Sequence, residues 1–117
     1  MKVFVYGSLR RYGQLNYYLD SSEFLGEHLT KPEYTLYSLG AFPALVEIGT
    51  TSVLGEVYEI SLDIRNLLDR VEGHPNMYVR TPIELLSKME VETYLFHYVP
   101  YGCDVVISGD WHDYLTS

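Results

Sequence analysis

A chain of 117 residues holds about one domain's worth of core, and 47% hydrophobic with 21% charged residues is a globular composition. The formal net charge of −8 excludes nucleic acid as a partner: Arg10-Arg11 is the only adjacent basic pair, and there is no basic stripe to release counterions. The single cysteine, Cys103, excludes an internal disulfide and fits a reducing compartment. No apolar run approaches membrane-spanning length, and the first residues enter a strand pattern without a leader's apolar region. No membrane partner and a cytoplasmic location are therefore expected.

In chain order, residues 2–6 read as a short buried strand broken by Gly7-Ser8, and the pattern over residues 12–19 predicts a helix interrupted by Gly13. Residues 24–29, 34–39 and 53–60 are β-like, separated by Lys31-Pro32 and by turn residues over 40–43. Residues 61–73 give the clearest helix. Ser61 can cap it, Asp63 suits its first turn, and Gly73 sits where a left-handed cap would end it. Ile64, Leu67, Leu68 and Val71 form its apolar stripe. Residues 78–86 and 90–99 resemble paired strands joined by Ser87-Lys88-Met89, and Pro82 implies an edge or a bulge. A short strand over 105–108 and a terminal turn over 110–115 complete the pattern. The expected fold class is α+β: one domain over residues 1–117, with a compact mixed bent sheet or small barrel and one or two packed helices.

Twelve tyrosines are many for this length. A large apolar ring with a hydroxyl that needs a partner suits strands lining a half-polar cavity, and equally suits a wet sheet face.

Glu72 borders the helix stripe, four positions after Leu68, while Arg65, Asn66 and Asp69 are placed further toward solvent. It also stands in the last turn, where free carbonyls disfavour another anion. Burial and the helix terminus would both raise its pKa toward the range useful for proton transfer. The other reading is a surface glutamate paired with Arg80 or another cation. The loop Tyr6-Gly7-Ser8-Leu9 follows a strand and can aim consecutive backbone N–H groups into an anion-binding hollow. It has neither a phosphate-loop nor a dinucleotide-binding pattern.

Together these segments are more specific than either alone. Val3-Phe4-Val5-Tyr6-Gly7-Ser8-Leu9-Arg10 resembles the opening signature of the γ-glutamylcyclotransferase-like superfamily, including γ-glutamylamine cyclotransferases and small bacterial relatives. Gly55-Glu56-Val57-Tyr58, then Leu68-Asp69-Arg70-Val71-Glu72-Gly73 and Met77-Tyr78-Val79-Arg80, is similar to the family's second half. Ser108-Gly109-Asp110-Trp111 resembles the end of small bacterial members. The resemblance implies a bent sheet around a cavity, with substrate held by Tyr6, Gly7, Ser8 and Leu9, and Glu72 as proton acceptor. The implied substrate is a γ-glutamyl amide, cleaved by its own α-amine to 5-oxoproline and a free amine. The reaction requires no cofactor and no metal. The alternative is a non-catalytic small-ligand or protein-binding module on the same fold.

His28, His74, His97, His112 and Cys103 lack metal-ligand spacing and are read as structural. Ser8 has no triad partners, and Asp69 is read as a solvated helix-face residue. Tyr94 and Tyr98 are candidates to reach the cavity from one strand face, Tyr78 is placed beside Arg80, and Asp110-Trp111 is expected to pin the tail. Residues 40–50 and 100–107 are the segments expected to shape the amine end of the pocket.

Overall fold

The computed structural model describes residues 1–117. Its strands are β1 (Lys2–Val5), β2 (Glu23–Leu29), β3 (Tyr34–Ser38), β4 (Pro43–Thr51), β5 (Leu54–Glu59), β6 (Tyr78–Glu84), β7 (Glu90–Phe96) and β8 (Asp104–Val105). The helices are α1 (Leu62–Val71) and α2 (Trp111–Thr116). Five strands form a mixed sheet in the order β2-β5-β1-β7-β6, with β1 and β7 parallel and the other neighbours antiparallel. A smaller antiparallel sheet has the order β4-β3-β8. The outer strands β2 and β6 of the larger sheet meet only past their ends, at a Thr30–Leu85 bridge, so of the two expected forms the bent sheet is the one found, and no closed barrel.

β1 is central because its sequence is apolar on both faces. Phe4 packs with Leu36, Leu45 and Trp111, whereas Val3 and Val5 pack with Leu68, Tyr78, Tyr94 and Phe96. Alternate side chains of one strand thus feed two cores, as expected of a strand covered on both sides. Leu68 places α1 over the second core, above the β6–β7 hairpin. Pro82 lies on β6, an edge strand, where its missing N–H costs no ladder bond.

Ser61 Oγ accepts the Ile64 N–H at 3.2 Å, so the N-cap stands where expected. At the other end the Gly73 N–H donates to the Arg70 carbonyl and the His74 N–H to the Asp69 carbonyl, with Gly73 at φ +66°. This pair of bonds is a Schellman cap, and it places Glu72 at the last position before the reversal.

Four expectations are corrected. Residues 12–19 are a run of turns ending in a single 3₁₀ turn, Asn16–Leu19, rather than a helix. Tyr12 sits at φ +69°, and a Cβ on Gly13 would lie 2.2 Å from the Ser8 carbonyl oxygen, so the chain is folded tightly back on the preceding loop. Residues 43–51, not expected as a strand, form β4. Its second half, from Glu47 to Thr50, is exposed and loops out of register with β3, which breaks the alternation that marks a strand. The tail is a capped helix rather than a turn: Asp110 accepts from the His112 and Asp113 N–H groups, and Trp111 is buried, so the pinning itself holds. The strand expected over 105–108 is only Asp104–Val105.

Candidate active site

The C-terminal end of β1 and the C-terminal end of α1 meet at one cavity of about 100 Å³. Tyr6, Gly7, Ser8 and Leu9 line it together with Glu72. The first loop is shaped by what happens to its carbonyls. The Ser8 oxygen accepts the Leu15 N–H at 2.9 Å, the Leu9 oxygen accepts Asn16 Nδ2 at 2.8 Å, and the Gly7 oxygen accepts the Arg10 N–H at 3.0 Å. The N–H groups of Gly7, Ser8 and Leu9 find no acceptor within the protein. Three consecutive unpaired donors on a cavity wall form a hollow suited to an anion or a developing oxyanion. Gly7 is required there, since a Cβ would stand 2.5 Å from Pro43 Cγ.

Glu72 is the one carboxylate among the side chains lining this cavity. Burial alone raises its pKa to about 7, with no hydrogen bond or cation opposing the rise. It is half-buried and contributes to the cavity lining. The surrounding phenols do not hydrogen-bond to it, because each donates its hydroxyl hydrogen elsewhere. Tyr6 donates to the Tyr94 carbonyl at 2.6 Å, Tyr78 to the Pro43 carbonyl at 2.7 Å, and Tyr94 to Asp69 Oδ1 at 2.7 Å. Burial, then the charge on Glu72 among other neighbours, pushes the Tyr6 and Tyr78 hydroxyls well above the ordinary phenol range.

The alternative partner for Glu72 is engaged elsewhere. Arg80 forms an ion pair with Asp69, and its Nε donates to Glu92 Oε2 at 3.2 Å. Asp69 is therefore no solvated helix-face residue. It is half-buried, bonded to Arg80 and Tyr94. Burial pushes its carboxyl upward, but those hydrogen bonds outweigh it and hold the group below the usual carboxylate range. The His74 ring lies outside the cavity, its Nδ1 accepting the Arg80 N–H at 3.0 Å.

Tyr94 reaches the cavity; Tyr98 does not, being 55% exposed with its ring tilted against Phe96 at 4.7 Å between centroids. Tyr78, placed beside Arg80 from sequence, lines the cavity as well. So do Leu15, Phe42, Pro43 and Met77, whereas nothing from residues 100–107 does. Phe42 and Met77 lie in turns, where no periodicity marks them. Asn16, which fixes the loop, gave no signal, and Arg10 stood only as the last residue of the opening signature. Arg10 is 4% exposed and contacts Glu56 at 3.3 Å and Asp110 at 3.0 Å. No three His, Cys, Asp or Glu side chains are grouped to hold a metal ion, and no helix is long and apolar enough to cross a membrane.

The family described as gamma-glutamyl cyclotransferase, AIG2-like, matches residues 3–113. A Methanocaldococcus jannaschii protein, named provisionally as a γ-glutamylcyclotransferase, is 40% identical over 118 residues, covering 96% of each chain. Zebrafish γ-glutamylaminecyclotransferase A is 33% identical over 95 residues, covering 73% of this chain and 58% of its own. The crystal structure of Pyrococcus horikoshii PH0828 superposes with a TM-score of 0.85 at 25% identity, covering 99% of this chain and 93% of that one. By sequence and by fold, the chain belongs to the γ-glutamylcyclotransferase, AIG2-like family.

Proposed function

We propose that this protein is a γ-glutamylamine cyclotransferase in which Glu72 is the general base. The observation that carries the reading is a buried carboxyl with no hydrogen-bond partner, its pKa raised by burial, in the same cavity lining as a turn with three unpaired N–H groups. An acceptor and a row of donors in one cavity lining suit a zwitterionic amino-acid head. The name of the zebrafish relative points the same way for the released group.

Glu72 takes a proton from the α-ammonium of the bound substrate. The freed nitrogen attacks the γ-carbonyl carbon and a ring C–N bond forms. Charge develops on the carbonyl oxygen, where N–H groups of the Gly7–Leu9 turn are the available donors. The bond to the departing nitrogen then breaks. Two protons leave the attacking nitrogen and finish on the departing one, relayed by Glu72, so the products are 5-oxoproline and an ammonium ion. No water is consumed. Because the nucleophile belongs to the substrate, the protein's main contribution is holding the chain folded for attack, worth up to about 7–11 kcal/mol in the best oriented cases.

The test is release of 5-oxoproline from γ-glutamyl amides, followed for the parent protein and for Glu72→Gln. The variant is expected to lose about 10²–10⁴-fold in turnover. Equal rates would remove Glu72 from the mechanism, and absence of product from every amide would leave a binding module.

A further inference from the structure

The rim of the cavity is where the departing amine must lie. An enclosed hole of roughly 150 Å³ accepts benzene, so a cavity of about 100 Å³ takes one end of a ligand and the remainder emerges. If the glutamyl head lies between Glu72 and the Gly7–Leu9 turn, the tail passes between Leu15, Phe42 and Met77. These come from three separate segments of chain. Phe42 is 47% exposed and Met77 46% exposed, although both stand in turns where a polar residue would serve the fold equally well. Their backbones are fixed: the Phe42 carbonyl accepts the Leu39 N–H at 2.8 Å, and the Met77 N–H donates to the Gly73 carbonyl at 2.9 Å. A carboxylate next to the scissile nitrogen finds no cation on this rim. An ammonium at the tail's end finds no acid there once Glu72 is occupied.

We infer that this rim is a leaving-amine subsite for an uncharged apolar group, so that the preferred substrates are γ-glutamyl alkyl- or arylamides. The inference rests on the cyclotransferase reading for its chemistry, but selection by the rim is a property of binding and is measured separately. The probes are γ-glutamyl methylamide, butylamide, benzylamide, 4-aminobutylamide and γ-glutamylglycine. From methyl to butyl or benzyl, kcat/KM is expected to rise at least about tenfold, within the range that extra methylenes give in an apolar pocket. The aminobutyl and glycine compounds fall below butyl. Assays at about 0.15 M and about 1 M salt separate the rim's contacts from long-range attraction by the net charge of −8. Phe42→Ala and Met77→Ala flatten the series. The same compounds are titrated calorimetrically into Glu72→Gln, and into the parent protein should none turn over. Tighter binding of butyl and benzyl without turnover would sink the cyclotransferase reading and keep the subsite. A flat series, or a preference for the aminobutyl or glycine compound, would overturn the subsite and leave the reaction untouched.

Discussion

Tyr94 donates its hydroxyl to Asp69 Oδ1 at 2.7 Å, so a cavity-lining phenol on β7 is tied to the helix that carries Glu72. Arg80 holds the same carboxylate from β6. Glu72 is one turn further along α1, and nothing else in the protein grips its side chain. The position of the proposed base is therefore set through its helix, by way of Asp69.

Asp69→Asn keeps an oxygen for Tyr94 and removes the charge that faces Arg80. The expected cost is about 1–2 kcal/mol, at the low end for a hydrogen bond to a charged group because Arg80 retains Glu92. Turnover is expected to fall about tenfold with KM little changed, since misplacing a reacting group is penalised in the chemical step. Asp69 is held below its ordinary pKa, so its contribution is present above the unfolded value and is lost as pH falls through the folded one. Urea melts at pH 7 and pH 3 check this: the gap between parent and Asn variant should be wide at the first and narrow at the second.

Glu72 titrates with the opposite sign. A carboxyl raised to about 7 favours the folded state when protonated, so the protein loses stability as pH rises from the ordinary carboxylate range through 7. Glu72→Gln should be more stable than the parent at pH 8, by about 2 kcal/mol once solvent in the cavity is allowed for, and equal to it near pH 4. Thermal melts across that interval decide the matter. The kcat/KM profile of the parent should show an ascending limb near pH 7, which the Gln variant lacks.

Several of these residues were legible from sequence and others were not, for physical reasons. Glu72 stood out because an acid beside an apolar stripe in a last helical turn contradicts both the stripe and the dipole. The Gly7 turn stood out because a strand ended on glycine. Asp69 shares α1 and was read as solvated, since its partners Arg80 and Tyr94 come from strands eleven and twenty-five residues away and only folding brings them together. Residues 12–19 carried helical spacing, but what stabilises them is a set of contacts to the Ser8 and Leu9 carbonyls, which periodicity does not encode. β4 was hidden by its own bulge.

Gly7→Ala tests the loop directly. The added methyl meets Pro43 Cγ, and neither that ring nor the backbone beneath it can move without displacing β4. Overpacking of this kind costs about 1–3 kcal/mol. The larger effect should be on ligand affinity, because the shift turns the N–H groups of residues 7–9 away from the cavity. Calorimetric titration of 5-oxoproline into the variant should show binding weakened at least tenfold, while a circular dichroism spectrum matching the parent would show the fold retained.

The largest expected loss of stability is at Arg10. Its guanidinium is buried directly behind the loop, where it meets Glu56, itself 3% exposed, and the N-cap residue of α2, Asp110. Glu56 also accepts from the Arg11 N–H at 2.8 Å and from Tyr58 Oη at 3.2 Å, so it is ringed by donors and remains fully out of water. Arg10→Met removes the cation and leaves that carboxylate uncompensated, a change that costs about 3–5 kcal/mol for buried pairs. The same reasoning makes Arg10→Met with Glu56→Gln milder than Arg10→Met alone, because the second substitution discharges the stranded acid. Denaturant titrations of the three proteins should therefore place the double variant between the parent and the single variant. A double variant less stable than the single one would mean that the Glu56 carboxylate is sustained by the Arg11 N–H and Tyr58 Oη rather than balanced by Arg10.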